Sequence, residues 1–339
     1  MSSNAPSLTR TLGLWQVTIS GVGIVIGAGI YVLIGDATAL AGSLVWASFV
    51  IAALLAAFTG LSYAELAGLF PSAGAESEFA RRAFNEFWGF LAGWLMVIGN
   101  VVGAGAVALG FARYLQQFVA IDMRVGAIGL LVVLTMIVAG GIRRSIWFST
   151  ALVLLQVGGL LMVIWVGLPH IGTRDLTDGT TTGVLSAAAL VFFAFIGFDE
   201  VVTLSDETRD AHRTIPRALL LALGISTALY LAVGVAAVSV IDWHDLAASD
   251  RPLGLVLSHV TGSYGSDILA AIALASTTNT TLLLLTAASR LLFNMSQRGR
   301  LPAALSTVGA RTKAPQVAAI VACVGAIPLA LTQQLGLVA

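Results

Sequence analysis

The chain has 339 residues, 58% hydrophobic and only 10% charged, whereas soluble domains carry about 25% charged residues, so it cannot hide its apolar surface in a core of its own. The formal net charge is zero, which removes the electrostatic case for nucleic-acid binding. Cys323 is the only cysteine and lies in an apolar run, and His170, His212, His244 and His259 fall in or near loops without metal-ligand spacing, so disulfides, thiolate metal sites and histidine metal sites are excluded. What remains is an all-α integral membrane protein in the lipid bilayer, because the apolar runs are long and lack the alternation of a β-barrel.

Nine spans are predicted in chain order: 12–35, 38–69, 84–119, 124–141, 146–168, 183–205, 214–241, 265–297 and 315–334. The first follows the polar start MSSNAPSLTR and is too long for a cleaved signal segment, so it is read as a retained helix. Between spans 7 and 8, DWHDLAASDRPLGLVLSHVTGSYGSD holds an apolar segment too short to cross, read as a re-entrant or surface loop. Lys and Arg placement puts thirteen cations on the side of the N-terminus, Arg290 among them, against four on the other; the positive-inside rule then sets the N-terminus in the cytoplasm of a multi-pass cell-membrane protein. Arg209 and Arg213 stand beside Glu207 and Asp210 as a candidate inner gate.

Span 1 contains GVGIVIGAGIYVLIG, with glycines at 21, 23, 27, 29 and 35. Glycine weakens helices, and an unpaired backbone group in hydrocarbon costs several kcal/mol. Gly23-x-x-x-Gly27 is a close-packing pattern; it is equally the mark of an unwound segment whose amides face a ligand. Span 6 has its own interruption at Ile196-Gly197-Phe198, followed at once by Asp199 and Glu200, and carboxylates at membrane depth are functional by default. Breaks in the first and sixth spans fit an inverted repeat of five helices per half. The amides of Gly27, Ala28 and Gly29 would then meet a carboxylate, and the carbonyls of Val25, Phe193 and Ile196 would meet an ammonium. Those are the two ends of an amino acid.

The stretches GVGIVIGAGIYVLIG, LSYAELAGLFPSAGAESEFARRAFNEFWGFLAGW, FFAFIGFDEVVTLSDETRDAHRTIPRAL and ASRLLFNMSQRGRLP resemble the amino acid–polyamine–organocation (APC) transporter superfamily, most closely its cationic amino acid transporter branch. The resemblance implies the LeuT-like five-plus-five fold, with residues 12–168 as first repeat and 183–334 as an incomplete second within one transmembrane domain. It implies uptake or exchange of an amino acid at the Gly27–Gly29 amides and the carbonyls of spans 1 and 6, with Phe193 and Gly197 at the site. It makes Asp199 a gating or proton-linked acid; a local cap of the break is the alternative. The family's rocking bundle would be spans 1, 2, 6 and 7, against a scaffold of 3, 4, 8 and 9.

Three departures matter. The branch's lysine in span 5 is replaced by Gln156, which cannot change charge, and the acid after GW in span 3 is replaced by Gly99 and Asn100. Small or neutral amino acids are therefore expected over cationic ones, with Asn100 as a candidate side-chain contact. The chain also ends after a ninth helix where the repeat needs ten, which reads as truncation and leaves a non-transporting binding protein, a sensor or an inactive fragment as the alternative function.

No cofactor is expected, only coupling to H+ or Na+. Thr277, Thr280 and Thr281, spaced i, i+3, i+4, could join the carbonyls of Val22 and Val25 as a sodium site; their alternative is bonding back to their own helix. An enzyme is not expected: HExxH, GxSxG and P-loop motifs are absent, and Asp199 with Glu200 lacks a third convergent group. Oligomeric state has no signal in the sequence.

Overall fold

The computed structural model describes residues 10–332 apart from 28, 73, 250, 263 and 310. Among these, all regular structure is helical save one isolated bridge between Leu12 and Thr208. The helices are α1 (Leu14–Ile26), α2 (Gly29–Ala41), α3 (Val45–Leu69), α4 (Ala75–Ala83), α5 (Glu86–Leu115), α6 (Met123–Ala139), α7 (Ile142–Gly167), α8 (Thr181–Phe192), α9 (Ala211–Val240), α10 (Trp243–Ala248), α11 (Pro252–Thr261), α12 (Tyr264–Gln297) and α13 (Gln316–Thr332). Seven stretches are long and apolar enough to cross a membrane, with α6, α11 and α13 as shorter apolar helices.

Each predicted span has a counterpart, with three instructive differences. Span 1 is α1 plus α2 and runs on to Ala41, so span 2 starts at Val45 rather than at 38; the turn between them, Gly42-Ser43-Leu44, is only three residues long and does not interrupt the hydropathy of the run. Span 3 begins at Glu86, where Asn85 caps the helix by accepting from the Phe87 and Trp88 amides. The charged segment before it folds as a separate short helix, α4. In span 6 the half beyond the break is a 3-10 helix, Phe198–Glu207, not an α-helix.

The buried side chains form two cores. One joins α1, α2, α3, α7, α8, the 3-10 segment, α9 and α11; the other joins α5, α6, α13 and most of α12. Span 5 thus packs with spans 1, 2, 6 and 7, while spans 3, 4, 8 and 9 share the second core. The polar groups singled out in the sequence lie along the seam between them.

At the end bearing Arg10, one contact joins the two broken spans and a second crosses the seam. The amides of Thr11 and Leu12 donate to the Glu207 carbonyl at 2.9 and 3.0 Å, and the Arg209 amide returns a bond to Leu12 O at 2.9 Å. This joins the outer ends of the two broken spans. Across the seam, Arg290 of α12 grips Glu207 with both forks, Nη2 to Oε1 at 3.1 Å and Nε to Oε2 at 3.2 Å, and its side chain is 0% exposed. The gate expected of Arg209 and Arg213 is therefore corrected: Glu207 turns inward, and its partner is Arg290, a cation that charge counting had put at the surface.

Breaking a buried pair strands the remaining charge, at a cost of about 3–5 kcal/mol. Glu207→Gln is expected to lower stability by about that amount, read as a fall in the thermal midpoint of detergent-purified protein; an unchanged midpoint would show that Arg290 finds water.

Candidate functional site

The packing and unwinding readings of the glycine run divide between residues. Gly23 serves packing, since a Cβ there would lie 2.1 Å from Val153 Cγ2 of α7. Gly27 carries the break: its φ of 32° and ψ of −158° end α1 and redirect the chain into α2. In span 6, α8 passes through a 3-10 turn, Phe193–Phe195, to Gly197 at φ 118°, ψ −12°. The breaks face each other, because a Cβ on Gly197 would meet Ile24 Cγ2 at 2.7 Å and one on Gly29 would meet Ala194 at 3.3 Å.

The carbonyls that unwinding frees are met by buried side chains of α9 and α12. Tyr230, fully buried, places its hydroxyl 2.6 Å from Val25 O and 3.1 Å from Ala194 O, within donating distance of both breaks. Ser276 Oγ donates to Gly27 O at 2.6 Å, and Asn279 Nδ2 donates to Gly23 O at 3.3 Å. Asn279 is itself held by α7, where Ser149 Oγ donates to its Oδ1 at 2.7 Å and Gln156 Oε1 lies 3.5 Å from its Nδ2. Tyr31 of α2 donates to the Gln156 carbonyl at 2.9 Å. None of Tyr230, Ser276 and Asn279 was named from the sequence. A tyrosine and an asparagine inside apolar spans were the available signals, since each needs a partner there.

Of the anion-facing amides, that of Gly27 is turned back to Gly23 O at 3.3 Å, Ala28 lies outside the described residues, and Gly29 opens α2 with no acceptor for its N–H among the described residues. Of the cation-facing carbonyls, Val25 already receives Tyr230, and Phe193 receives the Ile196 amide at 3.2 Å. The Ile196 carbonyl has no donor among the described residues. The side chains of Phe193 and Ile196 are 66% and 51% exposed, outside both cores.

Of the three threonines only Thr280 meets span 1. Thr277 donates to Ala273 O at 2.8 Å and Thr281 to Thr277 O at 2.8 Å, both within α12. Val22 sits within the intact part of α1. The face of α12 that meets the break holds Ser276, Asn279 and Thr280, also spaced i, i+3, i+4. Thr280 Oγ1 would lie 3.3 Å from a Cβ on Gly27 and has no partner.

Beyond the break, Asp199 Oδ1 accepts the Gly197 amide at 3.1 Å and so caps the 3-10 segment. Glu200 is buried, with Oε2 unpartnered. Asn100 of α5 is 3% exposed, donates Nδ2 to Met96 O at 3.0 Å and leaves Oδ1 unpartnered; it belongs with this acidic group rather than with the break itself. Glu76 of α4 joins them, both its oxygens buried and unpartnered.

Tyr230→Phe keeps the ring and removes the one donor serving two break carbonyls. It is expected to lower stability by about 1–3 kcal/mol, measured by denaturation of the purified protein; parental stability would mean that the carbonyls are paired by water instead.

The profile of a family described as amino acid permease matches residues 12–334. The branched-chain amino acid permease BcaP of Bacillus subtilis (strain 168) is 32% identical over 341 residues, covering 94% of this chain and 73% of the relative. Cationic amino acid transporter 4 of Homo sapiens is 27% identical, covering 93% of this chain and 54% of that one. A Na+-coupled sialic acid symporter, solved in a substrate-bound outward-open state, matches with a TM-score of 0.66 at 15% identity, over 95% of this chain and 75% of its own, and shares the fold. With two broken, facing spans in a bundle of apolar helices and a family match over nearly its whole length, the chain belongs to the amino acid permease family of the APC superfamily.

Proposed function

We propose that the chain is a secondary transporter of small or neutral amino acids, coupled to protons, working by alternating access in the cell membrane with its N-terminus in the cytoplasm. The observation that carries this is the pair of facing breaks, which leave an open helix N-terminus at Gly29 and an open carbonyl at Ile196. The α-carboxylate would bind at Gly29 with its neighbours Gly27 and Ala28, where the helix dipole favours negative charge. The α-ammonium would bind at Ile196 O and the remaining lone pair of Val25 O. Phe193 and Ile196, exposed beside the break, would close over the substrate. Residues 12–168 and 183–334 would be the two related halves, and spans 1, 2, 6 and 7 would rock against spans 3, 4, 8 and 9 along the seam between the cores.

Preference for an uncharged side chain is supported by Gly99 and Asn100, which put no charge on that part of span 3, and by similarity to a permease named for branched-chain amino acids. Proton coupling over sodium is supported by the donor pattern. Thr277 and Thr281 donate back into α12 rather than toward span 1. Carboxyls stand unpartnered on the other side of the break.

The test is uptake of a panel of labelled amino acids into proteoliposomes, with imposed pH or sodium gradients. Saturable uptake of neutral amino acids, driven by an inward proton gradient and indifferent to replacing sodium with choline, is the expected result. A strict sodium requirement, or arginine and lysine as preferred substrates, would contradict the coupling or the selectivity respectively. Tight binding without uptake or counterflow would favour a non-transporting binding protein.

A further inference from the structure

We infer that Glu76, on the short helix α4 between the second and third spans, is the group that takes up and releases the proton, while Asp199 stays ionised as a helix cap. This rests on the proton-coupled reading above and names a residue that the sequence did not single out.

Glu76 and Glu78 are two residues apart and therefore point to opposite sides of α4. Glu78 is surrounded by cations: Arg81 donates to it at 2.7 Å, and Arg82 and Arg298 of α12 also bond to it. Burial alone would raise its pKa, but hydrogen bonds from Arg81, Arg298 and Arg82 outweigh that and bring it down to about 2. Glu78 is thus a permanent anion that anchors α4 to the end of α12.

Glu76 has the opposite surroundings. From α3 it faces the Tyr63 hydroxyl; from the 3-10 segment it faces Asp199, with Glu200 beside them. From α5 the nearby polar group is the neutral Asn100. The arginines nearest in sequence and space are spent elsewhere: Arg81, Arg82 and Arg298 on Glu78, and Arg300 on Ser77 and Glu86. No cation among the described residues offsets Glu76, and these carboxyls do not form a metal-holding cluster there.

Facing carboxyls in a water-poor space with no counter-charge cannot all ionise. The proton settles where the anion is least supported. Asp199 has the Gly197 amide at 3.1 Å and sits at a helix N-terminus. Glu76 also lies in a first turn, that of α4, but burial together with the Asp199 charge outweighs what that position and the Tyr63 hydroxyl supply and pushes it up to about 7, in the range where a group exchanges protons readily. A cavity of about 740 Å³, lined by Ser72, Glu78, Asp206, Asn294 and Arg298 among others, opens on the far side of α4, against Glu78 rather than Glu76. Loss of the proton sets Glu76 against Asp199, so the repulsion acts between a loop helix and the second half of span 6.

The experiment is infrared difference spectroscopy of the purified full chain titrated from about pH 8 to about pH 6. The expected result is a protonated-carboxyl band that appears with a midpoint near 7, is lost in Glu76→Gln, and persists in Asp199→Asn with its midpoint moved down. A band that survives in Glu76→Gln, one that vanishes in Asp199→Asn, or the absence of any band in the parent would overturn the assignment. Should Glu76→Gln fail to fold, Glu76→Asp decides: a shifted frequency and midpoint support it, and an unchanged band overturns it. The band is read without substrate or transport. Its failure is therefore distinct from failure of uptake.

Discussion

A helix that breaks inside a membrane must find partners for the peptide groups it releases, and this constraint organises the molecule. The carbonyls of Val25, Gly27 and Ala194 are not left to hydrocarbon; Tyr230 and Ser276 reach them from α9 and α12. Each pairing avoids a penalty of several kcal/mol. Because the donors are themselves buried and held, the breaks are fixed in shape rather than merely unwound. Preorganisation of this kind lowers the cost of binding, since the ligand need not order the site.

The same breaks divide the hydrophobic core. Interrupting α1/α2 and span 6 puts polar backbone along one plane, and apolar side chains gather on either side of it as two cores. Rigid groups that share a polar seam can rock, because sliding there disturbs few interdigitated side chains. Crossing that seam, the Arg290–Glu207 pair is a charged tie at the end bearing Arg10. A full cycle would have to carry or break it. Glu207 also holds the amides of Thr11 and Leu12 through its carbonyl, so motion of span 6 at this end moves the start of span 1 with it.

Much of this was legible beforehand because its causes are local. Seven of the nine expected spans are long and apolar enough to cross, with α6 and α13 as shorter helices in the other two places, and both breaks follow from glycine set where a helix should continue, at Gly27 and Gly197. What escaped is tertiary. The turn after Ala41 has only Gly42 and Ser43 to mark it, inside an otherwise apolar run. Threonine spacing on α12 defined two possible faces, and only packing decides that Ser276, Asn279 and Thr280 meet span 1 while Thr277 and Thr281 bond back into their helix. Arg290 read as a surface cation because position along the chain says nothing of the glutamate across the seam. Glu76 and Glu78 look interchangeable in AESEFARRA; only the placement of Arg298 and Asp199 on opposite sides of α4 separates an anchor from a proton carrier.

The central claim is that backbone groups at the two breaks hold the charged ends of an amino acid. Equilibrium binding of one amino acid substrate, its carboxamide and its decarboxylated amine to the purified protein tests this most directly, since side chain and ammonium are kept while the anion is removed. The account predicts that both analogues bind at least about 100-fold more weakly, roughly 2.7 kcal/mol. Affinity of either analogue equal to that of the amino acid would contradict it.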